Sequence, residues 1–515
     1  MSKKNILLLA FILLKFLLQY FLIGAGYDLQ RDEYLHLDQA HHLAWGFTSV
    51  PPFTSWVSYV IYLLGASVFW VKFFPALFGA LTIVVVWKAV EELGGSLFAL
   101  ILSAFCVLFS ALLATNTLYQ PNSFDILSWT AFCFVLIKYF KTENPKYLYI
   151  AALVFAIGFL NKYNIVFLII GFIPAILLTR HRKVFVKKEF YFAIIFGLLL
   201  VLPNLWWQYK NNFPVFHHLS ELANTQLVNT NRADFLKFQL LYFAGALLVI
   251  MSALYALLFY KPFKPYRAFF WSMFFTLLVF LYFRAKPYYA MGIYPIYIAF
   301  GSAFLGNILK SDWKKYLQPV FIILPILFFA GIYNVAFPNK SPEYIVNHPQ
   351  LYQKPGLLRW EDGKDHSLPQ DFADMLGWKE LATIVDSVCS VLPNLDNIFI
   401  LCDNYGQAGA INYYTKNEKV TAHSFNADYI HWISLDKKIE DVVLVKYAHD
   451  DRDKDRQKEI PLFDTVYLAA RRINRYARED TISIYVLKAA KTDVNQILKE
   501  VIDRSSGKLR YSPPE

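Results

Sequence analysis

The sequence predicts a polytopic α-helical membrane protein of about eleven spans, followed by a soluble α/β domain outside the cytoplasm. Three observations carry this reading. Of 515 residues, 57% are hydrophobic and 18% aromatic, with a mean hydropathy of +0.36; soluble domains run near 45–50% apolar. The excess is uneven: residues 1–337 are apolar runs broken by short charged loops, whereas 338–515 read as ordinary water-soluble sequence of roughly 175 residues, enough for its own core. Finally, basic residues crowd into alternate loops: Lys3-Lys4, Lys141/Lys146, Arg180/Arg182/Lys183/Lys187/Lys188, Lys261/Lys264/Arg267 and Lys310/Lys314/Lys315. That alternation is the positive-inside pattern and puts these loops and the N-terminus in the cytoplasm.

The apolar segments are 5–25, 71–90, 96–114, 123–140, 147–160, 163–179, 190–209, 236–260, 268–284, 290–309 and 316–337. The first has a basic prelude but no small-residue cleavage site, so it reads as a retained span rather than a signal peptide. Segment 56–70 fits either an extra span or a helix on the outer surface. The short pair 147–160 and 163–179 is interrupted at Asn161-Lys162-Tyr163-Asn164, a break tolerated only where protein or a wet cavity surrounds it. Alternation places 26–55, 115–122, 161–164, 210–235 and 284–289 outside, and an odd span count places 338–515 outside with them.

In the soluble part, 371–392 carry helical apolar spacing. Strands are predicted at 397–402, 420–425, 441–447, 465–470 and 482–488, a turn and short helix at 404–414, and a solvated loop at 450–459. The net charge of +11 sits largely in the cytoplasmic loops and is no argument for nucleic-acid binding. Cys106 and Cys133 lie in apolar runs. Cys389 and Cys402 lie in the soluble part, where a disulfide is open to them if that part is extracytoplasmic.

The outer loops hold the groups able to do chemistry. The first contains the acidic pair Asp32-Glu33, with Asp28, Arg31, His36, Asp38, His41 and His42; the second leads to Asp125 at the mouth of a span. The third offers Lys162 and Tyr163, the fourth Asn204, Trp206, Trp207 and Gln208, the fifth Arg284, Lys286, Tyr288 and Tyr289. A carboxylate can take a proton from an attacking hydroxyl, Lys and Arg can stabilise a leaving phosphate, and aromatics suit a sugar face or the membrane interface. Plainer roles stand beside these: a solvated acidic pair, snorkelling anchors for Arg284 and Lys286, and an interfacial belt for Trp206 and Trp207. The histidines lack a zinc spacing, so no metal ligand is assigned.

Six stretches carry a family resemblance: RDEYLHLDQAHHLAWGFTSVPPFTSW (31–56), QPNSFDILSW (120–129), GFLNKYNIVFL (158–168), LPNLWWQYKNNFPVFHHLSEL (202–222), RAKPYYAMGIYPIY (284–297) and DNYGQAGAINYY (403–414). On these the chain resembles the family 39-like glycosyltransferases of bacterial membranes, relatives of protein O-mannosyltransferases and aminoarabinose transferases, which share the C-type (GT-C) fold. The resemblance implies an inverting transfer of sugar from a polyprenyl-phosphate donor to a lipid, glycan or protein acceptor, in the bacterial inner membrane, with site and soluble domain on the periplasmic side. It maps the catalytic carboxylate onto Asp32, with Glu33 beside it, and donor contacts onto Asp125, Lys286, Tyr288 and Tyr289; Lys162 and Tyr163 follow by motif shape, and Arg284 by its place beside the donor phosphate. The Gln-Pro-Asn of the second loop departs from more acidic relatives and leaves a divalent metal open. A transporter or flippase of lipid-linked sugars is the alternative, though the two halves show no paired hydropathy of the kind many transporters have.

Overall fold

The computed structural model describes residues 2–509, and all eleven predicted apolar segments are helical. Seven helices are long and apolar enough to cross a bilayer: Lys3–Phe21, Val68–Glu92, Pro121–Thr142, Lys188–Lys210, Lys261–Tyr282, Pro287–Ile308 and Trp313–Ala336. Two bent pairs, Ile165–Leu177 with Arg180–Val186 (111°) and Arg232–Leu241 with Ala244–Phe259 (61°), raise the number to nine. By length and composition the long helices thus number seven to nine, beside the about eleven apolar segments of the sequence, the rest being shorter. Leu97–Leu108 has 12 residues and Lys146–Asn161 has 16, about 18 and 24 Å of helix, short of a hydrocarbon core of about 30 Å. Phe53–Leu63, with 11 residues, is also too short to span.

Pro287–Ile308 is buried over most of its length at the centre of the helical part. Close approach there depends on a missing side chain: a Cβ on Gly301 would lie 1.9 Å from the carbonyl oxygen of Val249. Small residues at such crossings let helix backbones meet in a medium where apolar burial between helices gains little.

The soluble part is built on a five-stranded sheet of order β2-β1-β3-β5-β4: β1 Ile398–Cys402, β2 Ala422–Ser424, β3 Asp441–Tyr447, β4 Phe463–Ile473 and β5 Thr481–Ala490. β1 runs parallel to β2 and β3, while β5 is antiparallel to β3 and β4. Both faces of the central strands are buried, which explains their near-continuous apolar runs. Phe399, Val442, Leu444 and Leu487 face the C-terminal helix Val494–Leu509 through Val494 and Leu498. Ile400, Cys402, Val443, Val445, Ile484 and Val486 face Trp378–Ser390 and Tyr405–Tyr414.

That second face does not end at the soluble part. Tyr34, Leu35 and Leu37 of the first outer loop, Val57 and Ile61 of Phe53–Leu63, and Tyr119 of the second loop belong to the same apolar core. The seam between the two parts is therefore packed like an interior. Segment 450–459, expected to be solvated, is partly inside: Arg456 and Asp451 are buried and ion-paired. Cys389 and Cys402 are both buried free thiols.

Candidate active site

The first outer loop folds as a short helix, Arg31–Asp38, that opens with a capping box: Gln30 accepts from the Asp32 N–H, and Glu33 accepts from the Gln30 N–H at 2.6 Å. Its acidic residues divide by environment. Glu33 is fully buried and saturated, holding the Lys72 ammonium at 2.7 Å and the Tyr119 N–H at 2.6 Å. Asp28 accepts from the N–H groups of Trp378 and Lys379, capping the helix Trp378–Ser390. Asp38 accepts from Asn412 and Tyr429, and burial pushes its carboxyl up to about 6 against those two donors. Asp32, half-buried like Asp28 and Asp38, caps no helix and pairs with no ammonium among the described residues.

Two side chains hold Asp32. The Tyr405 hydroxyl donates at 2.7 Å and Gln120 Nε2 at 3.2 Å. Burial, and next the Asp32 charge, raise the Tyr405 phenol, so it stays a donor. Arg31 lies over the Tyr405 ring, 4.4 Å from its centre. Burial opposes its charge, but Tyr405 and the carboxylates of Asp374, Glu479 and Asp32 outweigh that and keep it cationic. Gly406 makes room for Arg31, since a Cβ there would lie 2.6 Å from Arg31 Cγ; a Cβ on Gly409 would lie 2.7 Å from Tyr34 Cβ. The Gly-x-x-Gly stripe on Tyr405–Tyr414 thus lets this soluble helix pack closely against the helix that carries Asp32.

From Asp32 a chain of hydrogen bonds runs into the membrane part. Gln120 accepts from Asn122 Nδ2 at 3.0 Å, and Asn122 Oδ1 accepts from Lys162 Nζ at 2.7 Å. The Lys162 ammonium sits 4.5 Å from the Tyr289 ring centre and 5.3 Å from that of Tyr288. Burial pushes Lys162, at the break between two helices, down to about 8 against the pull of Asp125. Asp125 is buried and accepts from Trp129 Nε1 (2.9 Å) and Asn164 Nδ2 (3.0 Å); Asn164 also donates to the Tyr289 carbonyl. Tyr163 donates to Asn204 and accepts from Gln208, and Asn204 donates to the Trp45 carbonyl. Residues of all five outer loops are joined in this way.

Two residues of the fifth loop sit differently from the rest. Lys286 is ion-paired with Glu361 of the soluble part at 2.5 Å and donates to Gln226. Arg284 is exposed, and its side chain makes no hydrogen bond or ion pair among the described residues. The belt reading suits Trp206, which is 56% exposed; Trp207 instead packs over Gly46. The histidines are spent in packing, with His42 stacked on Trp432 and His41 against Tyr62. Among the described residues no three His, Cys, Asp or Glu side chains gather as a metal site, and no step is routed through a metal.

Sequence reasoning gave no role to Tyr405, Lys72 or Glu361, and took Gln120 only as one polar group of the second loop. Tyr405 and Gln120 lay inside stretches already singled out, so a signal existed for those two. Lys72 offered one as well, being a charge within an apolar segment.

The family described as dolichyl-phosphate-mannose-protein mannosyltransferase matches residues 49–207, which include Asp125, Lys162 and Tyr163. Lipid A galacturonosyltransferase RgtD of Rhizobium johnstonii is 23% identical over 214 residues, 39% of this chain; the match spans 44% of that relative's length. Crystal structures of ArnT from Cupriavidus metallidurans, bound to undecaprenyl phosphate and in the apo state, each superpose with a TM-score of 0.60 at 11% identity, covering 94% of this chain and 97% of ArnT. Fold along nearly the whole length and sequence similarity over part of it agree with the motifs: the chain has the C-type glycosyltransferase fold, and part of its sequence is similar to membrane glycosyltransferases.

Proposed function

We propose that this protein is an inverting glycosyltransferase that moves a sugar from a polyprenyl-phosphate donor to an acceptor hydroxyl at the outer face of a bacterial inner membrane. The observation that carries the reading is the bonded line Asp32–Gln120–Asn122–Lys162, which links one half-buried carboxylate to one cation. Asp32 accepts the proton of the acceptor hydroxyl, and the oxygen attacks the anomeric carbon. The bond from that carbon to the phosphate oxygen breaks, and the polyprenyl phosphate leaves with the electron pair. Lys162, flanked by Tyr288 and Tyr289, stabilises the phosphate as its charge grows. Asp125 holds Asn164 and Trp129 in place near Lys162, and Tyr163 braces the fourth loop.

Glu33, saturated by Lys72 and backbone N–H groups, is a positioning residue in this scheme rather than the base. Lys286 meets the donor phosphate only by leaving Glu361, which makes it a latch between the two parts as well as a phosphate contact. Arg284 acts as an interfacial anchor. Periplasmic placement of site and soluble domain rests on the positive-inside pattern and on alternation over the eleven apolar segments, which keeps the five site loops and the soluble part on one side.

The test is an assay of the purified protein in lipid nanodiscs with polyprenyl-phosphate hexose radiolabelled in the sugar and a cell-envelope extract as acceptor. Covalent transfer of label is the expected result. In proteoliposomes, movement of label across the bilayer without transfer would establish the transporter reading instead.

A further inference from the structure

Strand β1 is the pivot of the sheet. The chain leaves its carboxyl end at Cys402 and crosses through Tyr405–Tyr414 to β2 on one side, then returns to β3 on the other. In open sheets with parallel strands, ligands bind in the crevice outside the carboxyl ends where the winding reverses. Here that crevice is a real cavity of about 980 Å³, at the upper end of the range for ligand pockets. Asp403 and Asn404 beyond β1, and Lys446 and Tyr447 at the end of β3, line it; 360–370 and 475–480 form the facing wall.

The lining is polar but nearly balanced in charge. Lys446 is paired with Asp403, Arg456 with Asp451, and Arg478 with Asp374. Such a wall offers donors and acceptors without a net charge to neutralise, which matches hydroxyl groups that do both. Within the buried Arg456–Asp451 pair, Arg456 Nε and Asp451 Oδ2 have no partner. Unpaired buried polar atoms are costly, and these two lie beneath the wall rather than on it.

The cavity touches the site already described at one place. Arg31 lines it and lies on the ring of Tyr405, whose hydroxyl bonds Asp32. Resting on the transferase reading above, we infer that this cavity binds the polar head of the acceptor, an uncharged saccharide, and that the saccharide reaches Asp32 past Arg31. The soluble domain would then select the acceptor and the membrane part the donor.

Two exposed positions on the rim, Ser367 and Asp450, allow the cavity to be filled without touching Asp32 or its partners. The test uses the full chain in nanodiscs, a labelled polyprenyl-phosphate hexose donor, and a lipid-free oligosaccharide fraction of the bacterial envelope as acceptor probe. Donor hydrolysis by water and transfer to the saccharide are followed separately. Ser367→Trp and Asp450→Trp should each raise the acceptor KM at least tenfold while donor hydrolysis stays within twofold and the melting temperature is kept. An unchanged acceptor KM in both folded variants overturns the inference, as does donor hydrolysis by the unmodified protein with no transfer to the lipid-free fraction. If the unmodified protein neither hydrolyses nor transfers, the transferase reading itself fails and this inference falls with it.

Discussion

Tyr405 donates a hydrogen bond of 2.7 Å to Asp32 across 373 positions of sequence, joining a helix of the soluble domain to the carboxylate in the first outer loop. Asp32 can serve as a base only if it is held. Its second donor, Gln120, is 3.2 Å away, so Tyr405 supplies the shorter of the two side-chain bonds. Tyr405→Phe keeps the ring under Arg31 and removes only the hydroxyl. A hydrogen bond to a charged group is worth about 1.5–3 kcal/mol. The expected result is a fall in kcat of roughly tenfold or more with KM for the donor little changed, read by steady-state kinetics.

Asp32→Asn should abolish the base while leaving the fold intact, because the amide oxygen can still accept from Tyr405 and only the longer 3.2 Å bond from Gln120 is lost. General-base groups typically contribute about 10²–10⁴-fold, and turnover should drop by that factor. A variant that retains full activity would remove Asp32 from this role.

Glu33→Gln should do the reverse. Lys72 keeps 19% side-chain exposure and Glu33 none, so the substitution strands a partly buried cation. Breaking a buried pair from one side costs about 3–5 kcal/mol; the lower end applies here because Lys72 reaches solvent. Thermal unfolding in detergent should show a clear loss of melting temperature, and the protein that remains folded should still turn over.

Lys162 gives the reaction a pH limit. Burial lowers it to about 8, so the ammonium form is present below that value and is lost as pH rises through it. kcat/KM should fall on the alkaline side with a midpoint near 8 at constant ionic strength. In Lys162→Arg the guanidinium stays charged, and whatever activity survives should show no such fall.

Gly409→Val tests the seam. The new Cβ would meet the Tyr429 hydroxyl at 2.6 Å and Tyr34 Cβ at 2.7 Å, and the backbone cannot yield without moving Arg31–Asp38. Overpacking of this kind costs about 1–3 kcal/mol. Activity should fall further than stability, because the displaced helix carries Asp32.

The sequence by itself determined the two-part architecture, since hydropathy, charge alternation and apolar runs are local quantities that the lipid and water phases read directly. All eleven apolar segments are helices, and the five predicted strands occur in the sheet. It also named most of the groups that meet at the site, because ionisable residues at span mouths are costly without a use. What it could not decide was their roles. Asp32 and Glu33 are neighbours in sequence, yet successive residues on a helix point about 100° apart: one meets Tyr405 of the soluble part, the other Lys72 inside. Span lengths behaved likewise, because a 12-residue apolar helix is as hydrophobic per residue as a full span. Only the tertiary fold could bring the sheet's β1–β3 crevice to the back of Arg31, since that juxtaposition joins stretches hundreds of residues apart whose contact leaves no trace in either sequence alone.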